Sequence, residues 1–137
     1  MIISFEVPGR AAGKARPRVT RGGQHTYTPD PGGFVERATA AGVEARNKSD
    51  WPGISSDAIK LTCIIDRAMP EGWSRRKRHE MEDEFAPHVP DTVNVAAAVC
   101  DALSGVFYED DRQVVALDVR QVWGLVAVTW VTVEILK

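Results

Sequence analysis

Residues 90–113 read Pro-Asp-Thr-Val-Asn-Val-Ala-Ala-Ala-Val-Cys-Asp-Ala-Leu-Ser-Gly-Val-Phe-Tyr-Glu-Asp-Asp-Arg-Gln, a run that opens on an aspartate and ends just past three consecutive acids. Asp91 follows a proline and suits a helix N-cap, because its carboxylate can accept from the unpaired amides of a first turn. From Val93 to Leu103 almost every residue is small or apolar, so the spacing predicts a largely buried helix, which Gly105 stops. Asp101 is the single charge inside it. Glu109, Asp110 and Asp111 then precede an alternating run, Gln113 to Gln121, which reads as a strand with Val115, Leu117 and Val119 inward. Acids at a helix start, within the helix and at a strand start can converge on one point. Converging carboxylates repel unless a cation lies between them, and oxygen ligands suit Mg2+ or Mn2+.

Before this stretch, residues 2–7 alternate with Ile3, Phe5 and Val7 on one face, a half-buried strand ended by Pro8-Gly9. Residues 8–29 form a polar segment with Arg10, Lys14, Arg16, Arg18 and Arg21 and no acid. Its glycines and Pro17 argue against a helix, so it reads as a basic arm or loop. Uncompensated charge of one sign favours an anion nearby, and arginine's fork of donors suits phosphate. Phe34 to Arg46 reads as an amphipathic helix with Phe34, Ala38, Ala41 and Ala45 on one stripe. Residues 47–56 read as loop, with Trp51 as a lid on the core. Residues 58–66 give the clearest strand, with Ile59, Leu61, Cys63 and Ile65 on one face. Ser74 to His79 is a second basic cluster, and the acids that follow suggest a surface helix with pairs such as Arg76–Glu80 and Arg78–Glu82. Leu125 to Leu136 is a β-branched run, which with the preceding strand reads as a hairpin. Interleaved only in part, these elements favour an α+β, two-layer sandwich: a mixed sheet with helices packed on one face.

The chain of 137 residues is expected to be one domain, 1–137. No apolar run approaches the roughly 20 residues needed to cross a bilayer, and the N-terminus lacks a secretory pattern. Cys63 and Cys100 lie in apolar patterns and read as small buried residues, which fits an intracellular location. The histidines are scattered without ligand spacing, and Gly-rich phosphate loops are absent, so zinc and nucleotide sites are not indicated. The acidic set Asp91, Asp101, Asp110 and Asp111 with two basic segments remains. Carboxylate-held Mg2+ beside phosphate-binding arginines is a set of groups suited to phosphodiester chemistry.

Three motifs carry a resemblance. They are Pro90-Asp91-x-x-Asn94 with Asp101-Ala102-Leu103-x-Gly105-x-x-Tyr108-x-Asp110-Asp111-x-Gln113; the arm Pro8-Gly9 through Lys14-x-Arg16-Pro17-Arg18 to Tyr27-Thr28-Pro29; and Trp73-Ser74-Arg75-Arg76-Lys77-Arg78. Together, over about residues 5–121, the chain resembles the RusA family of Holliday junction resolvases of bacteriophages and prophages. The resemblance implies a homodimer in the cytoplasm of a bacterial host that binds four-way DNA junctions and nicks them with Mg2+, in DNA recombination and repair. It implies Asp91, Asp110 and Asp111 as catalytic residues, these with Asp101 as metal ligands, and Lys14, Arg16, Arg18, Arg75, Arg76 and Lys77 as DNA contacts. The chain departs from the family pattern Pro-Asp-x-Asp-Asn-Leu-x-Lys at Val93, Ala97 and, before Pro90, Val89. Valine and alanine neither bind a metal nor donate to phosphate. Two alternatives follow: a junction binder with impaired catalysis, and a small protein-interaction module.

Overall fold

The computed structural model describes every residue except Arg16, Pro17, Gln24, Thr28, Val89 and Lys137. Strand β1 (Ile2–Pro8) leads into a short hairpin, β2 (Arg18–Val19) and β3 (Thr26–Tyr27), and then helix α1 (Phe34–Asn47). Strand β4 (Ala58–Ala68), helices α2 (Arg75–Met81) and α3 (Thr92–Leu103), and strands β5 (Val114–Gly124) and β6 (Val128–Leu136) complete the chain. The sheet order is β1-β6-β4-β5, with β5 parallel to β4 and the other pairs antiparallel. This is the expected mixed sheet of an α+β fold. Among the described residues no helix is long and apolar enough to cross a membrane.

The alternation in β4 does what the sequence asks of it. Ile59, Leu61, Cys63 and Ile65 are fully buried, and β6 sets Ile135, Val133 and Val131 beside the first three of them. Phe34 and Ala38 of α1 and Val95, Ala98, Val99 and Leu103 of α3 join the same cluster, so the two longer helices cover one face. The buried stripe of α1 is Phe34, Ala38 and Gly42, rotated slightly from the expected alanines. A Cβ on Gly42 would lie 2.9 Å from Leu103 Cδ2, so the missing side chain lets α1 approach α3. Trp51 closes the core as expected, its Nε1 donating to the Phe107 carbonyl.

Two expectations are corrected. The last two strands do not form a hairpin, because β4 lies between β5 and β6 and pairs with both. β4 and β6 are both interior strands, bonded on two edges, and the short 125–127 connection passes the end of β4. Nor do Val115 and Leu117 point into the core, since they are 65% and 52% exposed. A register shift opposite Ile59/Lys60 makes Val115 an extra residue, while Leu117 pairs with Leu61 but stands on the outer strand.

Cys63 and Cys100 are free, and burial first of all pushes their thiols up, to about 12 and about 11. On the sheet face away from the helices, Trp130 Nε1 donates to Asp66 Oδ2 at 3.1 Å. Burial nevertheless raises the Asp66 pKa above its ordinary value, outweighing the Trp130 bond. A carboxyl raised on folding penalises the native state once it ionises, and that penalty is absent below the ordinary carboxylate range. Asp66→Asn is therefore expected to raise Tm by about 1–2 °C at pH 7, with the gain fading toward pH 3 in a thermal melt series. Identical melts at pH 7 would contradict it.

Candidate active site

Helix α3 begins as the sequence indicated. Asp91 Oδ1 accepts from the Asn94 amide at 2.8 Å, leaving the other carboxylate oxygen outside that bond. At the far end Gly105 adopts φ of +84°, which turns the chain back on the helix. Tyr108, fully buried, donates its hydroxyl to the Cys100 carbonyl at 2.7 Å, and Ser104 Oγ donates to the Glu109 carbonyl. Gln113 then locks the acidic turn. Its Oε1 accepts from the Glu109 and Asp110 amides, and its Nε2 donates to the Ser55 and Asp57 carbonyls.

This frame gives the two adjacent aspartates different work. Asp110 caps a 3-10 turn, Asp111–Gln113, by accepting from the Arg112 amide at 2.9 Å, and that bond above all holds its carboxyl below the usual range. Asp111 is exposed at the first position of the turn, free of that duty. Asp111 and Asp101 both border Cys100, where their charges add to the rise in its pKa. Asp91 stands apart: ten residues of helix at 1.5 Å each put it about 15 Å from Asp101. Among the described residues no three His, Cys, Asp or Glu side chains are grouped to hold a metal ion. Mg2+ usually takes one or two carboxylates and completes its shell with water and phosphate oxygens, a demand that Asp101 and Asp111 would meet without a third acid. Val93, where the resemblance calls for an acid, is 79% exposed beside the helix start, and Ala97 is half-buried one turn on.

The basic arm is tied down against α3. Arg37, which the pattern of α1 placed simply off the apolar stripe, clamps its root by donating to the carbonyls of Pro8, Arg10 and Gly32. Ala11 is buried, Lys14 N donates to the Asn94 carbonyl at 3.2 Å, and Lys14 Nζ lies 3.7 Å from Asp101 Oδ1. A Cβ on Gly13 would come within 2.5 Å of Asn94 Nδ2 and 2.9 Å of its Cγ, so only glycine allows this approach. Gly13→Ala is expected to lift the arm and weaken the junction binding that the resemblance implies about tenfold, with Tm changed by less than about 3 °C. Unchanged affinity in a gel-shift titration would show that the docked arm is not needed.

Beyond Lys14 the arm forms the β2–β3 hairpin, with Arg18 and Arg21 exposed; Arg16 lies outside the described residues. In α2, capped by Ser74, Arg75, Arg76 and Lys77 are exposed. Lys77 Nζ sits 4.5 Å over the Trp73 ring, and Arg76 pairs with Glu80 as expected. The expected Arg78–Glu82 pair does not form. The helix ends at Met81, and Arg78 donates instead to the Trp73 and Pro70 carbonyls. The residue that the motifs missed is Arg67, 2% exposed at the next inward position of β4 after Ile65. Extending the alternation of β4 by two residues is the one signal that could have found it.

Fold and site define a small α+β domain that lays a cationic arm against a carboxylate-bearing helix, a class of surface suited to polyanions. The comparisons with known proteins make this specific. The family model Endodeoxyribonuclease RusA matches residues 8–135, and the chain belongs to that family. It is also 27% identical over 128 residues to the uncharacterized protein YqaN of Bacillus subtilis (strain 168), covering 89% of this chain and 88% of that protein. Membership supports endodeoxyribonuclease activity and binding to branched DNA junctions.

Proposed function

We propose that the protein binds four-way and other branched DNA as a homodimer and nicks it, with Mg2+ or Mn2+ as the expected cofactor. The observation that carries this reading is the arm fixed over α3, with Lys14 beside Asp101 and the exposed Asp111 in the same neighbourhood. In this reading Lys14, Arg18, Arg75, Arg76 and Lys77 hold strand phosphates, with Arg16 assigned to the same role by its motif. The Lys14–Asp101 pair is partly exposed, so a phosphate competes with Asp101 for that ammonium at little cost. Asp111, held at the start of its turn while Asp110 and Gln113 maintain the backbone, presents a carboxylate to a phosphodiester bound by the arm. A divalent cation would supply charge neutralisation at the phosphate and activation of water. Asp101 and Asp111 are the carboxylates that would hold it, and the roles above are those of the side chains alone.

A second reading, a junction binder without cleavage, is favoured by Val93 and Ala97 and by the distance of Asp91 from Asp101. A synthetic four-way junction incubated with the protein in Mg2+, in Mn2+ and in EDTA separates the two. Paired nicks that require metal support the resolvase. A shifted but uncut junction in all three supports the binder, and no preference for branched over duplex DNA rejects both. Binding that falls steeply with salt is expected of either reading.

A further inference from the structure

Arg67 is a buried cation without a counter-charge among the described residues. Its Nε donates to Gln121 Oε1 at 2.7 Å, Nη1 to the Ala11 carbonyl at 2.9 Å, and Nη2 to the Pro90 carbonyl at 3.3 Å. Those acceptors are neutral, and among the described residues no carboxylate lies within 4 Å of Arg67 or Arg10. Three of five guanidinium N–H groups are thereby used, leaving two without a protein acceptor among the described residues. A buried charge of this kind is costly unless an anion completes it. Arg10 adds to the cost, because it stands close enough for its charge to repel that of Arg67.

Both arginines line one cavity of about 240 Å3, together with Ala68, His88 and Ala127. That is room for several water-sized groups. His88 brings the second observation: its Nδ1 is buried with no hydrogen-bond partner among the described residues. The imidazole ring packs edge-on to Trp123, which packs in turn on Trp73 beneath Lys77. The cavity thus sits at the root of the basic arm, beside the end of β4 and the start of β6, and the Pro90 carbonyl ties Arg67 to the start of α3.

We propose that this cavity is a phosphate pocket, with Arg67 as its fixed floor, Arg10 as its outer cation and the His88 imidazole as a further polar contact. A tetrahedral oxyanion fits the free donors, since planar guanidinium forks suit phosphate oxygens and a buried arginine is already ordered for them. The pocket stands on the buried cation itself; its use for a phosphate of a DNA strand rests on the junction-binding reading above. In that use it extends the arm's contact with the strand and fixes that strand next to Asp91.

The test is an NMR titration of the full chain with inorganic phosphate at constant ionic strength, following the Arg67 Nε–Hε and His88 ring signals. Both are expected to move along one saturable isotherm. Arg10→Ala, at an exposed position, is expected to weaken it about tenfold with the fold unchanged by circular dichroism. His88→Phe, which keeps an aromatic ring against Trp123, is expected to weaken it as well. No saturable response, or a response equal in both variants and the native chain, overturns the pocket. Repeating the titration with junction DNA bound identifies the source. DNA that moves the same signals and blocks inorganic phosphate means a strand phosphate, whereas DNA that leaves them untouched means a free phosphate ligand. A parallel gel shift keeps the two readings apart: junction binding without a phosphate response rejects the pocket alone, and the converse rejects DNA binding alone.

Discussion

Asp111→Asn is expected to lower junction nicking roughly 100-fold or more, the scale on which loss of one preorganised group at a reacting phosphate registers. Junction affinity should be unchanged or higher. The substitution is nearly isosteric, and the turn is held by the Asp110 cap and by the four bonds of Gln113, none of which uses the Asp111 carboxylate. Folding is therefore spared, while one negative charge leaves the surface that Lys14 shares. A like-for-like loss at Asp110 would be harder to interpret, since that carboxylate also caps the turn. Single-turnover cleavage beside a gel-shift titration measures both quantities. A variant that nicks at the native rate would remove Asp111 from the chemistry. Nicking absent from native protein and variant alike would favour the non-cleaving binder.

Phe107→Ala should cost about 3–5 kcal/mol of stability, the range for truncating a fully buried aromatic ring. Phe107 has no exposed surface, stacks on Phe5 with ring centres 5.7 Å apart, and receives the edge of Trp51 at 5.2 Å. It also lies against the space that Gly42 leaves open between α1 and α3. Removing the ring takes a shared neighbour from β1, the Trp51 loop and both helices, and so few rigid elements can collapse into the cavity. Against a total stability of about 5–15 kcal/mol, the loss is expected to lower Tm by about 10 °C or more. Urea unfolding monitored by tryptophan fluorescence gives the free energy. A loss below about 1 kcal/mol would mean that the core closes over the gap.

The features legible along the chain are local ones. The inward positions of β4 are a period-two pattern, α3 carries its own cap at Asp91 and its stop at Gly105, and the arm's glycines and prolines exclude a helix. Each signal depends on residues a few positions apart, so it can be read before any neighbour is known. The motifs around Asp91, Asp111, Lys14 and Arg75 were legible for the same reason, and they pointed to the RusA family that the matched residues 8–135 establish.

The tertiary structure alone decided which strands are neighbours. A β-branched run followed by a turn and another such run reads as a hairpin, yet β4 competes for both partners and lies between them. That choice made β5 an outer strand and left Val115 and Leu117 exposed, although their sequence pattern is that of a core strand. It also decided what the acids share. Five acids in or beside one helix and turn look concentrated along the chain, but the length of α3 separates Asp91 from Asp101 while the turn at Gly105 folds Asp111 back toward Cys100. Arg67 shows the same limit from the other side. An arginine at an inward strand position has no meaning until the fold shows which acceptors surround it, because the balance between burial and compensation of its charge is set by groups distant in sequence.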